Sequence, residues 1–422
     1  MASAVDKLLR NTAVIYLAAG VLARVGSFLL VPIYTRRLSP AEYSSYATFT
    51  TLLPLLVMLY TLGLSSAITR SFYAPRAGVT PEQAVGDLAR GILGLGVLFA
   101  TLGCGLIALV WPAGAMLLDA HQWYLLLWTG VAVALGSVPD VYLTVSQRAW
   151  QAASLQFATF VLTAGLGLLF VVGLGRGGRG AIEALALASG LQGLFALGFI
   201  ARRLGVASPR ATLASELKLS LPYIPHTLAL WAQQAGDRAV LSAQGRADQL
   251  GIYYLAVQLS TPLNLVTSSW NNARVPVLGE AFRQDGLDGA ARVLPAQYRQ
   301  FVAVAGVAAV AMLLGVPFLP WVVGARFAGA ASLLPALLLA GVVESLYFPS
   351  ANYLMIVGHT RLIPVATGLS SALSVGLVLL LLPRYGLTGL LVARVLGACA
   401  RSLFMGLVVL WYRRPPAASA PA

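Results

Sequence analysis

The sequence predicts an all-α membrane protein with about 12 transmembrane helices. Of its 422 residues, 59% are hydrophobic and only 10% are charged, whereas soluble domains carry about a quarter charged residues. The apolar residues also gather into about twelve stretches, each near the roughly 20 residues that a helix needs to cross a bilayer. These stretches occupy most of the chain, so we expect no separate soluble domain.

Short polar breaks with turn-forming residues separate the spans, as in LSPAEY at 38–43, GLGRGGRG at 173–180 and PRYGL at 383–387. The two longest breaks, 67–87 and 274–298, are predicted to be loops. The predicted spans in chain order are 11–35, 43–66, 88–111, 122–145, 153–174, 181–202, 217–243, 250–273, 299–322, 331–357, 362–383 and 387–411.

The distribution of basic side chains predicts the orientation of the spans. The Lys and Arg residues near one set of span ends number 17, against 7 near the other set. Because loops rich in Lys and Arg remain in the cytoplasm, we expect both termini and both long breaks on that side. Both termini lie on one side only if the number of spans is even, and twelve satisfies this condition.

Two segments at corresponding places of the chain resemble each other. RRLSPAEYSSYATFTTLL at 36–53 follows the first span, and QGRADQLGIYYLAVQLST at 244–261 follows the seventh. Each begins near an Arg, passes a small acidic turn and enters a span rich in Tyr and small residues, with Tyr46 aligned to Tyr253. The pattern indicates an internal duplication.

The duplication predicts two pseudo-symmetric six-helix lobes, an N-terminal lobe at 1–210 and a C-terminal lobe at 211–422. Six spans are an even number, so both lobes have the same orientation. Such parallel repeats are related by an axis along the membrane normal, as in several transporter folds.

Other function classes are disfavoured by composition and motifs. The net charge of +14 does not indicate nucleic-acid binding, because the basic residues lie in short loops between spans. Cys104 and Cys399 lie inside apolar runs, so we expect neither a disulfide framework nor a metal site. The glycine-rich segment at 173–180 lacks the Lys-Ser/Thr of a phosphate-binding loop. We therefore predict no catalytic residue, metal or cofactor.

Arg24 is a charged residue near the middle of the first predicted span. Charged residues inside spans are costly and mark functional sites by default. A guanidinium facing a central cavity can hold an anionic group such as phosphate through paired N–H donors. The structural alternative is an arginine bound to neighbouring helix carbonyls or to a carboxylate.

The seventh span carries several polar residues, among them His226, Asp237 and Arg238. A helix this polar cannot face lipid on all sides. Asp237 and Arg238 are interpreted as groups that pair with other helices, and His226 as a helix-packing residue or a group that titrates near neutral pH.

Three further places carry candidate residues. Trp270, Asn271 and Asn272 end the eighth span, where they either bind a sugar by stacking and hydrogen bonding or form a polar helix end. Asp140 follows a proline in the fourth span and is a candidate proton or ion site. The remaining charges are Glu344 in the tenth span and Arg394 and Arg401 in the twelfth. Glu344 and Arg394 are each expected to be neutralised by a partner, or, for Arg394, to bind substrate. Arg401 is expected to extend to the cytoplasmic end of its span.

The sequence resembles the bacterial polysaccharide flippases. The resemblance is carried by RVGSFLLVPIYTRRLSPAEYSSYATF in the first span and the break after it, by LGLSSAITRSFY, and by LPYIPHTLALWAQQAGDRAVLSAQGRADQLGIYYLAVQLSTPL in the middle of the chain. It extends over the whole chain, including the number of spans and the duplicated lobes.

This resemblance implies a MATE-like fold of the MOP superfamily, in its O-antigen and exopolysaccharide branch. Such proteins are thought to move undecaprenyl-diphosphate-linked oligosaccharides from the cytoplasmic to the periplasmic leaflet of the inner membrane by alternating access, for surface polysaccharides such as lipopolysaccharide. Arg24 matches a basic residue common in the first helix of the family, whereas Glu344 and Arg394 match no motif. Proton or sodium coupling and a complex with a polysaccharide polymerase are compatible with this implied function.

Three alternatives remain open, and the third of them belongs to another class. A multidrug or cation antiporter of the same superfamily would need carboxylates in the N-terminal lobe, which offers Asp140 and Glu183, while Arg24 would repel a cation. The lipid II flippases resemble this chain but usually have more spans. A membrane polysaccharide polymerase or ligase would bring a large periplasmic loop, and every break predicted on that side is short.

Overall fold

The computed structural model describes residues 30–75, 77–110, 117–205 and 209–412. Over these residues the secondary structure is helical, with short turns and without a β-strand. The predicted all-α fold class is therefore confirmed.

The first helices form the N-terminal part of the fold. The described part of α1 covers 30–37, and the π-helical turn Leu169–Gly173 extends α6. The helices that follow α1 are α2 (Pro40–Thr61), α3 (Leu64–Tyr73), α4 (Pro81–Val110), α5 (Ala120–Val145), α6 (Ala149–Leu168), α7 (Gly177–Arg203) and α8 (Pro209–Ser220).

The remaining helices form the C-terminal part. Two of them contain an internal break, at Asp285 and Gly286 (φ 59°) in α10 and at Gly386 (φ 58°) in α14. Glycine adopts this left-handed backbone without the steric cost that other residues have. The helices are α9 (Ile224–Ala243), α10 (Ala247–Leu314), α11 (Leu319–Val322), α12 (Ala330–Ser345), α13 (Tyr347–Ile356) and α14 (Leu362–Tyr412).

The breaks divide the two longest helices into pairs. We name the parts of α10 α10a (247–284) and α10b (287–314), and those of α14 α14a (362–385) and α14b (387–412). By length and composition, 7 described helices can cross a membrane, or up to 8 when the bent pair α2 and α3 counts as one span. Dividing α10 and α14 adds two helices to these 8, and α9 and the end of α1 add two more. The number of membrane helices is then 12.

The predicted loop at 274–298 is wrong, because this segment is helical apart from the turn at Asp285 and Gly286. Its polar residues sustain the helix instead of ending it. Arg283 Nη2 donates to Glu280 Oε1 at 2.5 Å, and Gln284 Nε2 donates to the same oxygen at 2.7 Å. Side chains three and four residues apart lie on one face of a helix, where such pairs stabilise it. The predicted loop at 67–87 is likewise shorter, since α3 ends at Tyr73 and α4 begins at Pro81.

Two helix starts show why the polar breaks fall where the sequence predicts them. Ser39 caps α2 in a reciprocal capping box with Glu42, and Asp119 caps α5 in the same way with Gln122. In each box the cap side chain accepts from the third backbone N–H, and the third side chain accepts from the cap N–H. These contacts replace the hydrogen bonds that the first turn of a helix lacks.

The chain forms two compact units, an N-terminal unit (Met1–Thr227) and a C-terminal unit (Leu228–Ala422). Within the N-terminal unit, α5 packs against α2, α3, α4, α6 and α7. Within the C-terminal unit, α12 packs against α10, α13 and α14. The fourth membrane helix of each unit is therefore its centre, as expected of a duplicated six-helix arrangement. The lobe boundary at 210 and 211 stays a prediction.

Candidate functional site

The interior of the C-terminal unit holds a buried ion pair. Arg394 Nη1 of α14b lies 2.8 Å from Asp237 Oδ2 of α9, and the two side chains are 19% and 4% exposed. The hydroxyl of Tyr253 in α10a donates to the same carboxylate oxygen. We call these three residues the Asp237 cluster. A carboxylate in an apolar interior is stable only when paired and hydrogen-bonded, so the cluster joins α9, α10a and α14b.

The helices around this cluster are also fixed by a polar contact one turn before Asp237. Ser371 of α14a donates to the Ala229 carbonyl at 2.8 Å and to Gln233 Oε1 at 3.2 Å. Gln233 and Asp237 are four residues apart, so they share one face of α9. Arg394 Nη1 also donates to the Gln233 carbonyl at 3.3 Å.

Arg238 is held by its own helix and by a neighbouring ring. Its backbone N–H donates to Asp237 Oδ1 at 2.7 Å, and its Nη2 donates to the Gln234 carbonyl at 2.5 Å. Its guanidinium carbon lies 5.7 Å from the centre of the Tyr254 ring. Arg394 and not Arg238 therefore makes the short ion pair with Asp237.

A second ion pair lies on the same helix α14b. Arg401 Nη1 is 2.6 Å from Glu344 Oε1 of α12, and the Arg401 side chain is 8% exposed. Its guanidinium carbon lies 3.8 Å from the centre of the Tyr347 ring, a cation–π contact. The prediction that Arg401 extends to the membrane surface is wrong, because the partly buried Glu344 carboxylate and the Tyr347 ring are available to it inside the unit.

Arg394 and Arg401 are seven residues apart, which is about two helical turns. They therefore lie on one face of α14b, each paired with a carboxylate of a different helix. Glu344 and Arg394 are not each other's partners in this arrangement. Ser402 adds to the second contact by donating to the Val343 carbonyl at 2.7 Å.

A third polar group lies where α10a meets α10b. Gln297 Nε2 of α10b donates to the Arg274 carbonyl of α10a at 3.4 Å, and Arg274 lies 5.9 Å from the Trp270 ring. Gln300 follows Gln297 after one turn. We call Trp270, Arg274, Gln297 and Gln300 the polar patch. Beside it, Asn352 Nδ2 of α13 donates to Asn271 Oδ1 at 2.7 Å.

The other predicted residues lie elsewhere. Arg24 lies outside the described residues. Asn272 is exposed, and His226 is partly buried in the first turn of α9. Asp140 lies in α5 with Oδ1 buried and without a hydrogen-bond partner among the described residues.

The structure thus brings the predicted charges together in pairs, and it adds residues that the sequence did not indicate. Tyr253 had been aligned with Tyr46 without a role, and Gln297 fell in a predicted loop. Two helices joined by a turn at Gly286 would have placed Gln297 and Gln300 opposite Trp270 and Arg274. The tyrosine hydroxyl on Asp237 depends on packing between helices, for which the sequence gives no signal.

The sequence profile of the family described as polysaccharide biosynthesis protein matches residues 8–282. The chain belongs to this family. The resemblance stated from the sequence is thereby confirmed. Within the curated proteins, the chain is 24% identical over 380 residues to a protein of the Lsg locus of Haemophilus influenzae, covering 86% of this chain and 88% of that protein.

Solved structures show the fold of this family member. It is similar to an inward-facing multidrug resistance MATE family transporter of the MOP superfamily, with a TM-score of 0.70 and 16% identity over 95% of this chain and 98% of that one. It is also similar to the lipid II flippase MurJ in an inward closed conformation, with a TM-score of 0.74 and 13% identity over 94% of this chain and 87% of that one. The predicted MATE-like fold is confirmed.

Proposed function

We propose that this protein is a flippase that moves undecaprenyl-diphosphate-linked oligosaccharides from the cytoplasmic to the periplasmic leaflet of the bacterial inner membrane. The observation that carries the proposal is a combination within one chain: a member of a polysaccharide biosynthesis family has the fold of membrane transporters. A biosynthetic pathway that assembles glycans on a lipid needs a step that carries the polar headgroup through hydrocarbon. A transporter fold fits that step better than it fits sugar transfer.

The polar groups inside the C-terminal unit support this proposal. A glycan headgroup is too polar to enter hydrocarbon without hydrogen-bond partners. Side chains such as those of the polar patch offer such partners inside the membrane helices. Alternating access would then expose the bound headgroup first to one side of the membrane and then to the other. MurJ, a lipid II flippase, has a similar fold.

The proposal includes an orientation, a coupling ion and a partner. Both termini are placed in the cytoplasm because of the excess of basic residues at that set of span ends. Proton or sodium coupling is assigned to Asp140, whose buried oxygen lacks a hydrogen-bond partner among the described residues. A polysaccharide polymerase is the expected partner, since the flipped glycan is its substrate.

The decisive test is complementation of a strain in which surface polysaccharide depends on this protein. Arg24→Ala should lower surface polysaccharide about tenfold or more, because a charge-assisted hydrogen bond to phosphate contributes about 1.5–3 kcal/mol. Arg24→Lys should retain part of the activity, and Arg37→Ala, which removes an exposed arginine, should retain all of it. Normal polysaccharide from Arg24→Ala protein inserted at the wild-type level would contradict the assignment of Arg24.

One observation favours a second candidate function, a multidrug or cation antiporter. The buried oxygen of Asp140 in α5 could bind a cation or proton. Ethidium efflux by proteoliposomes that hold the purified protein separates the two functions. The flippase proposal expects no efflux and full transfer of a fluorescent glycan-lipid, whereas the antiporter expects the reverse.

A further inference from the structure

The polar patch contains four buried polar atoms without a hydrogen-bond partner in the part of the chain that the structure describes. They are Trp270 Nε1, Arg274 Nε, Gln297 Oε1 and Gln300 Oε1. Native proteins leave few buried polar atoms unpaired, because each such atom costs about 1–3 kcal/mol. Four of them on two neighbouring helices indicate a site that a ligand completes.

The four atoms belong to one site. Trp270 and Arg274 are four residues apart on α10a, and the arginine lies over the indole ring at 5.9 Å. The Gln297 amide reaches the Arg274 carbonyl at 3.4 Å, which joins α10b to α10a at this level. Gln297 is 0% exposed, and Gln300 is its neighbour on the same helix face.

Two hydrogen bonds fix the helices that surround the polar patch. Asn352 fixes Asn271 at 2.7 Å, and Tyr298 forms a hydrogen bond with Ser350. Both contacts join α10 to α13, so α10a, α10b and α13 frame the patch.

The unpaired atoms are two donors and two acceptors. Trp270 and Arg274 offer N–H groups, whereas the glutamine oxygens only accept. A diphosphate offers acceptors alone, so it would leave both glutamine oxygens unpaired. A sugar hydroxyl both donates and accepts, so a sugar ring with two or three hydroxyls can pair with all four atoms.

We propose that the polar patch binds a sugar of the lipid-linked glycan, through hydroxyls that accept from Trp270 and Arg274 and donate to Gln297 and Gln300. This inference rests on the proposed function, because it takes the carried glycan as the ligand. The diphosphate then binds elsewhere, and the patch recognises the carbohydrate part of the substrate.

The experiment compares two probes on the full-length protein in lipid nanodiscs. The probes are undecaprenyl diphosphate and undecaprenyl-diphosphate-glucose, and the measured quantity is the ratio of their Kd values. The wild type should bind the glucose-bearing probe about tenfold more tightly, since one or two net hydrogen bonds correspond to such a factor. Gln297→Leu and Gln300→Leu should each bring the ratio below about threefold without changing the Kd for undecaprenyl diphosphate.

Gln284→Leu is the matched control, because Gln284 lies on α10a with its amide on exposed Glu280. It should leave both Kd values unchanged. Thermal unfolding supplies a second measurement. Gln300→Leu should leave the Tm of the ligand-free protein unchanged or higher, since it removes a buried unpaired oxygen. Gln297→Leu also removes the contact with the Arg274 carbonyl, so its Tm is not used in this comparison.

Three results would overturn the inference. One is a wild type that binds both probes equally, and another is a pair of glutamine variants that keep the wild-type ratio, as expected if ordered water fills the patch. The third is a loss of affinity for both probes alike, which would assign the patch to the diphosphate or to packing. The proposed function is tested by a different measurement. It is contradicted if proteoliposomes of the wild type transfer neither probe between leaflets. The ratio of the Kd values tests the sugar site whatever the result of that transfer experiment.

Discussion

The two compact units have the same order of membrane helices around a central fourth helix, but the contacts of that helix with a neighbour differ in kind. In the C-terminal unit, Asp237 and Glu344 are paired with two arginines of one helix. In the described part of the N-terminal unit, helices α5 and α7 instead approach closely at small residues. A Cβ added at Gly193 would lie 3.0 Å from Cα of Ala132.

This difference shows that one helix arrangement can be held by two kinds of contact. Small residues allow dispersion contacts between backbones, which associate helices in lipid without any polar group. Buried ion pairs have a large desolvation cost, and removing one partner leaves an uncompensated charge. The C-terminal unit should therefore respond to the loss of charge and the N-terminal unit to added volume.

The largest effect is expected for Asp237→Ala. It leaves Arg394 without its carboxylate and the Tyr253 hydroxyl without its acceptor. Removing one partner of a buried pair costs about 3–5 kcal/mol, so the free energy of unfolding in mixed micelles should fall by about that amount.

A double variant separates the effect of leaving a charge unpaired from the effect of losing side-chain volume. Asp237→Leu combined with Arg394→Met removes both charges and retains apolar volume, which is often neutral. We expect its free energy of unfolding to fall by about 1–3 kcal/mol, less than in Asp237→Ala, because the Tyr253 hydroxyl loses its acceptor but no charge is left unpaired. A double variant as unstable as Asp237→Ala would mean that the ion pair is not what holds these helices.

Added volume should act on the N-terminal unit, and Gly193→Leu is the test. The new side chain would meet the backbone of Ala132 on α5. Overpacking of this kind costs about 1–3 kcal/mol. Gly190→Ala on the same helix is the control, because a Cβ at Gly190 meets nothing within 4 Å. The control should be neutral or more stable than the wild type, and equal losses in both variants would refute close packing at Gly193.

A smaller effect is expected for Glu344→Gln. The amide still accepts from Arg401, but the hydrogen bond changes from charge-assisted to neutral, which corresponds to about 1 kcal/mol. The Tyr347 ring continues to stabilise the guanidinium at 3.8 Å. Denaturant unfolding should therefore place this variant between the wild type and Asp237→Ala, and Tyr347→Leu should increase the effect of Glu344→Gln.

The sequence predicted the helices well because hydrophobic length is a direct consequence of the bilayer. It failed at 274–298, where the helix continues beyond the apolar residues by means of side-chain pairs such as Glu280 and Arg283. Hydropathy reports only which residues prefer lipid. It therefore marks the apolar part of α10 and not the end of the helix.

The sequence also identified the charged residues of the site, since charge inside a span is rare. It did not identify their partners. Glu344 and Arg394 lie 50 residues apart in the chain and were each other's most obvious candidates, yet each has a different partner. Pairing depends on which faces of α9, α12 and α14b meet, and one sequence does not encode this in a local pattern.

The smallest effect on stability is expected for Asp140→Asn, and it provides the sharpest contrast between the units. The buried Oδ1 of Asp140 has no hydrogen-bond partner in the described structure, so the substitution breaks no such contact there. The free energy of unfolding should not fall, because a neutral amide is less costly to bury than an unpaired carboxylate, whereas Asp237→Asn in the C-terminal unit should lower it by about 1 kcal/mol or more. If Asp140 is the coupling site, glycan-lipid transfer by Asp140→Asn should also stop responding to an imposed proton or sodium gradient.

A loss of stability as large as that of Asp237→Asn would show that Asp140 is paired, and the contrast between an ion-paired and a close-packed unit would then be lost.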